Sequence, residues 1–123
     1  MSNPVSPAPF RLPTAPAATD LVAKYFRGLG DPSRLRILEL LRGDEELSVG
    51  ELVERLALPQ PKVSNHLACL RWCGFLAARR DGRTVYNRIA DPRVAAMLDL
   101  AESLLADNAE HVAACCRIEG PEA

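Results

Sequence analysis

Apolar residues recur along most of this chain at helical spacing, and the breaks between the recurrences mark its elements. Thr19 reads as an N-cap ahead of Asp20, and Leu21, Val22, Tyr25, Phe26 and Leu29 then predict a first helix that Gly28 and Gly30 bring to an end. Asp31-Pro32-Ser33 follows as a cap with proline at the first helical position. Leu35, Ile37, Leu38, Leu40 and Leu41 extend a second helix from it as far as Gly43. Ser48 caps a short third helix carrying Val49, Leu52, Val53 and Leu56. The connection Ala57-Leu58-Pro59-Gln60 leads at once into a fourth helix, from Gln60 to Cys73, and two helices joined so closely predict a helix-turn-helix.

Two short runs then replace the helical period. Phe75 to Arg80 and Thr84 to Ile89 predict strands bridged by Asp81-Gly82-Arg83, where Asp-Gly supplies the positive φ angles of a tight hairpin, or wing. Asp91-Pro92 starts a last, long helix whose Val94, Met97, Leu98, Ala101, Leu104, Leu105 and Val112 fall close to one stripe. The expected fold class is mainly α with a β-hairpin, a winged helix-turn-helix. Its first and last helices carry more apolar surface than one small domain covers. That predicts a homodimer through those two helices, which sets two reading heads about one turn of DNA apart. Five of the ten prolines lie within the first 16 residues, where no period is visible. The expected organisation is a flexible Pro-rich arm over 1–18, a winged-helix DNA-binding and dimerisation domain over 19–116, and a tail over 117–123.

Composition narrows the function. A chain of 123 residues, 48% apolar and 25% charged, builds one small domain and excludes a large multidomain enzyme. The longest apolar runs, Val94 to Leu98 and Val112 to Cys116, are five residues long against the ~20 of a membrane-spanning helix, so no membrane role is expected. The N-terminus lacks the basic start and apolar stretch of a secretory signal. A cytoplasmic, reducing location is therefore expected, with the four cysteines as thiols. The net charge of −1 hides a partition: residues 60–93 hold seven Lys or Arg against two Asp or Glu, and residues 94–123 hold one against six. The basic centre suits the phosphates of double-stranded DNA, and the acidic last third must face elsewhere.

A step of about 100° per residue places Val63, Leu67, Leu70 and Gly74 on one inward stripe of the fourth helix. Gln60, Lys62, Ser64 and Asn65 lie at its start, where small polar residues read base edges and phosphates. His66 joins the DNA-binding candidates; it also shares the stripe of Cys69 and Cys73 that borders the apolar face, where a hydrogen-bonded place at the edge of the core explains it at least as well as a metal-ligand role, so it ranks low as a ligand. Arg79, Arg80 and Arg83, with Arg88, surround the hairpin turn, where they can reach phosphates or the minor groove, while Tyr86 packs.

Cys69 and Cys73 stand four residues apart, one turn on the same helical face, and their thiols can converge on one ion. Such a pair also occurs as plain packing. The vicinal Cys115-Cys116 near the end of the last helix shifts the balance, because it supplies one or two further thiolates for a three- or four-sulfur site. Soft thiolates select cadmium, lead, mercury or arsenic(III), as well as zinc, over magnesium or calcium. Whether the tail thiols come from the same subunit or its mate is open, as is which of the two binds.

Three stretches carry a resemblance: Gly30-Asp31-Pro32-Ser33-Arg34-Leu35-Arg36-Ile37-Leu38, Val63-Ser64-Asn65-His66-Leu67-Ala68-Cys69-Leu70-Arg71 and Asp81-Gly82-Arg83-Thr84-Val85-Tyr86. Together they resemble the signatures of the ArsR/SmtB family of metal-responsive winged-helix repressors, over residues 19–116. Cys69-Leu70-Arg71-Trp72-Cys73-Gly74 is similar to the actinobacterial cadmium/lead sensor subgroup, in which two recognition-helix cysteines and one near the C-terminus bind metal. The resemblance implies Cys69 and Cys73 as ligands, completed by Cys115 or Cys116. The Cys-x-Cys site of other subgroups is replaced here by Glu46-Leu47-Ser48-Val49-Gly50, and on the last helix His111 stands with only Asp107 and Glu110, a solvated face. The vicinal tail pair differs from a single distal cysteine and leaves mercury(II) and arsenic(III) open.

The expectation is a dimeric repressor, bound to operator DNA when metal-free and released by a thiophilic ion. Alternatives are an arsenic(III) response, a thiol redox sensor, or a protein with a structural zinc. An enzyme is not expected: Cys69 and His66 share a helix, but no acid, phosphate loop or oxyanion donor accompanies them.

Overall fold

The computed structural model describes residues 17–43 and 46–118. Its elements are α1 (Ala17–Leu29), α2 (Pro32–Gly43), β1 (Leu47–Ser48), α3 (Val49–Leu56), α4 (Gln60–Trp72), β2 (Leu76–Asp81), β3 (Thr84–Ile89) and α5 (Pro92–Ala114). The strands form one antiparallel sheet in the order β1-β3-β2. A winged helix-turn-helix results, as expected. No described helix is long and apolar enough to cross a membrane.

Local chemistry explains the boundaries. Asp31 Oδ1 accepts from the backbone N–H groups of Ser33 (2.8 Å) and Arg34 (3.1 Å) and so starts α2. Ser48 and Glu51 form a reciprocal capping box at α3, with Glu51 N donating to Ser48 Oγ at 3.1 Å and Ser48 N to Glu51 Oε1 at 2.9 Å. Ala57 takes the left-handed conformation (φ 55°) to end α3 and turn the chain into α4. At the far end of α4 Cys73 is the C-cap and Gly74 has φ +86°. Gly74 N donates to Arg71 O at 3.0 Å and Phe75 N to Leu70 O at 2.9 Å, the double closure in which glycine relieves the left-handed strain.

Four expectations need correction. Helix α1 begins at Ala17, not behind a cap at Thr19, so residues 17 and 18 belong to the folded domain; the rest of the expected arm lies outside the described residues. Gly74 does not continue the inward stripe, because the helix has already ended; Val63, Leu67 and Leu70 do line it. In the hairpin Asp81 is the last residue of β2, paired with Thr84, and only Gly82 has positive φ (+64°), so glycine alone supplies what the turn needs. The sheet also has a third strand: Leu47 and Ser48 pair with Asn87 and Tyr86, a stretch too short to show alternation.

The core joins Leu29 of α1, Ile37, Leu38 and Leu41 of α2, Leu47, Leu52 and Leu56, the α4 stripe, Phe75 and Leu76, and Val94 and Leu98 of α5. The beginning of α5 thus packs on its own domain, assisted by Arg42 of α2, whose guanidinium pairs with Asp99 and Glu102. Beyond Leu98 the same helix leaves Leu100, Leu104, Leu105 and Val112 exposed, and α1 leaves Leu21, Val22, Tyr25 and Phe26 exposed. A single protomer does not cover these faces.

Asp91 caps α5 and pairs with Arg93, Nη2 to Oδ2 at 2.8 Å; this hydrogen bonding lowers its carboxyl from 3.8 to about 2. A carboxylate whose folded-state pKa is depressed stabilises fully above its unfolded value, and the contribution is lost as pH falls from 3.8 towards about 2. Acid unfolding followed by helical circular dichroism should therefore lose a component in that window in Asp91→Asn. An unchanged profile would mean that the pair adds nothing to folding.

Candidate nucleic-acid interface and thiol pair

Helix α4 buries Val63, Leu67 and Leu70 and turns its other faces outward. Gln60, Lys62 and Asn65 are exposed, Ser64 and His66 half-buried. No side chain caps the start of this helix, so its positive end and Lys62 present one electropositive tip. His66 is held from within: Arg34 Nε donates to its Nδ1 at 3.1 Å. Arg71, near the other end of α4, donates through Nη1 to Oδ1 of the fully buried Asn87 at 3.2 Å, which fastens the helix to the wing.

The wing arginines divide into two kinds. Arg79 is committed: Nε and Nη2 donate to the Glu46 carboxylate at 2.7 and 2.8 Å, and the guanidinium lies 4.8 Å over the Tyr86 ring. Hydrogen bonding in this pair lowers the Glu46 carboxyl and raises Arg79. Tyr86 packs beneath it, as expected. Arg80 and Arg83 are exposed beside the turn and have no ion-pair or hydrogen-bond partner among the described residues. Neither the Glu46–Arg79 clamp nor the Arg71–Asn87 link was foreseen, because both join residues 16 or more positions apart.

Cys69 in the last turn of α4 and Cys73, its C-cap, stand one turn apart, with Cys73 N donating to Cys69 O at 3.0 Å. Partial burial pushes the Cys73 thiol up, and the neighbouring Cys69 sulfur adds to this through its charge and a hydrogen bond; Arg34 and Lys24 act in the opposite sense. Tyr25 of α1 stands close enough to feel Cys73: its phenol is raised first by burial and then by that thiol. A cavity of about 320 Å³, lined by Tyr25, Gly74, Asp91, Arg93, Val94 and Met97, opens alongside. Cys73 therefore sits beside Tyr25, at the edge of the uncovered face of α1. Cys115 is the half-buried C-cap of α5 and Cys116 is exposed. Among the described residues of one protomer, no three His, Cys, Asp or Glu side chains gather as a metal site, so the two cysteine pairs remain apart within a single chain.

Residues 31–78 match the family model described as "Bacterial regulatory protein, arsR family". The chain is 47% identical over 102 residues to the probable mercury resistance operon repressor of Streptomyces lividans, covering 82% of this chain and 80% of that protein. Among solved structures it is similar to Mycobacterium tuberculosis Rv0081, with a TM-score of 0.73 and 38% identity over 82% of this chain and all of that one. It is also similar to the homodimeric winged helix-turn-helix DNA-binding domain of Mb0332 from Mycobacterium bovis, with a TM-score of 0.69 and 32% identity over 77% of this chain and 87% of that one. The winged architecture, the exposed polar start of α4 and these likenesses agree: this chain belongs to the ArsR family of bacterial transcriptional repressors.

Proposed function

We propose that the protein is a homodimeric, thiol-based sensor that holds operator DNA when metal-free and is released from it by a thiophilic cation. The observation that carries this reading is the one-turn spacing of Cys69 and Cys73 at the end of the DNA-reading helix itself, where Cys73 N donates to Cys69 O at 3.0 Å. Two adjacent thiols form a soft donor set that fits mercury(II), cadmium(II) or lead(II), and the similarity to a mercury resistance repressor puts mercury(II) first. A pair of thiols leaves cadmium(II) or lead(II) under-coordinated, and a third sulfur also strengthens the hold on mercury(II). In a dimer closed over the apolar faces of α1 and α5, the partner subunit's Cys115 or Cys116 supplies the third sulfur, since Cys73 lies at the edge of α1 and the tail cysteines stand at the end of α5.

Gln60, Lys62, Ser64 and Asn65 enter the major groove, and Arg80 and Arg83 reach the adjacent backbone. Closing the thiols around an ion favours an orientation of α4 that no longer suits the operator. By linkage, the same ions bind the DNA-free protein more tightly by the factor through which they weaken DNA binding, typically ~1 to 3 kcal/mol.

Titrating each metal, with a thiol-free reductant present, into a complex with DNA from upstream of the protein's own gene tests this. Release near stoichiometry is expected for thiophilic ions and not for magnesium; operator affinity unchanged by every thiophilic ion would overturn the sensor reading. The wing makes a separate prediction. Arg83→Ala should lower the salt slope of operator binding by about one, as for one lost phosphate contact, whereas Arg79→Ala, already neutralised by Glu46, should leave the slope nearly unchanged. Equal slopes for Arg83→Ala and the native protein would remove Arg83 from the interface.

A further inference from the structure

Arg34 joins three helices through one side chain. It stands in the first turn of α2, where Asp31 Oδ1 holds its backbone N–H. Its Nε donates to His66 Nδ1 on α4 at 3.1 Å, and its Nη1 donates to the carbonyl of Gly28 in the last turn of α1, also at 3.1 Å. Carbonyls in a last turn have no intrahelical donor, and a cation there also meets the negative end of the helix dipole. Accepting at Nδ1 requires a neutral His66 imidazole with its hydrogen on Nε2. The guanidinium is a rigid planar fork, so the two bonds fix the orientation of α4 relative to α1 in a way that a single ammonium does not.

We propose that Arg34 is a positioning residue for operator binding: through the Gly28–Arg34–His66 strut it sets the angle between α1 and the reading helix. This rests on the reading of α4 as the DNA-contacting helix of a dimer closed through α1 and α5. Because α1 carries part of the apolar face, the angle it makes with α4 sets the separation of the two reading helices. His66 serves as the strut's receptor on α4, and its hydrogen-bonding atom is Nδ1 rather than Nε2.

That choice of atom provides the test. Asparagine places its Oδ1 close to the position of Nδ1, whereas glutamine places its amide close to that of Nε2. Operator affinity is measured by fluorescence anisotropy as a function of salt for the native protein, Arg34→Lys, His66→Asn and His66→Gln, with dimerisation and urea midpoint checked for each. The strut predicts that His66→Asn binds within about threefold of the native protein. Arg34→Lys and His66→Gln should lose about tenfold or more, as for a hydrogen bond to a charged group, with an unchanged salt slope and intact dimers. His66→Gln binding better than His66→Asn would assign the histidine a direct DNA contact and overturn the strut. So would Arg34→Lys binding as the native protein does, or a loss through Arg34→Lys accompanied by a fall of about one in the salt slope, the mark of a phosphate contact. Failure of the native protein to bind its operator would instead remove the DNA-reading assignment on which the strut depends.

Discussion

Cys69→Ser should repress as the native protein does and fail to respond to metal. Serine is close to cysteine in size, and position 69 is only half-buried, so the exchange leaves the Val63, Leu67 and Leu70 stripe in place; operator affinity should stay within about threefold. The hydroxyl is a hard donor with little affinity for soft cations, and it interrupts the sulfur pair at its inner member. Metal-induced release, expected near stoichiometry for the native protein, should shift upward by at least about a hundredfold in metal concentration, or vanish. Cys73→Ser should behave alike. Comparing Cys115→Ser with Cys116→Ser then identifies the tail ligand, and native protomers mixed with tail variants show whether it acts across the dimer. Release of Cys69→Ser at stoichiometric mercury(II), cadmium(II) and lead(II) would place the responsive site elsewhere.

Phe75→Ala should cost about 3–5 kcal/mol in urea unfolding at fixed protomer concentration, a large share of the ~5–15 kcal/mol that holds an ordinary domain together. Phe75 is 1% exposed and sits where three elements meet. Its N–H closes the end of α4 on Leu70 O, its carbonyl accepts from Ala90 N at 3.0 Å, and its ring lies 4.6 Å from that of Tyr25. Truncation leaves a cavity beneath α1, between the reading helix and the wing, which the surrounding backbone hydrogen bonds prevent from collapsing. Phe75→Leu, which keeps most of the volume, should cost less than about 1.5 kcal/mol. A cost below about 1 kcal/mol for Phe75→Ala would show that α1 and the wing close over the vacancy.

The elements themselves were legible because their signals are local. Asp31, Ser48 and Gly82 announce a helix start, a capping box and a turn through their own side chains or the lack of one. The Cys69–Cys73 pair was legible for the same reason, since one helical turn brings i and i+4 together whatever the rest of the fold does. The strand Leu47–Ser48 was not: two residues carry no period, and their pairing with Asn87 and Tyr86 exists only once the wing has folded back.

From its sequence alone, this protein's order of five helices and a hairpin, its helix-turn-helix, its basic centre and its pair of helical thiols followed, because each is set by spacing within a few residues. Only the tertiary structure decided which arginines are free and which are spent. Arg79 meets Glu46, Arg71 meets Asn87, and Arg34 meets His66, pairings in which folding brings together groups that the chain holds far apart. It also decided that α5 divides into a packed beginning and an uncovered remainder. The periodic stripe is continuous along that helix, but its own domain is too short to cover it.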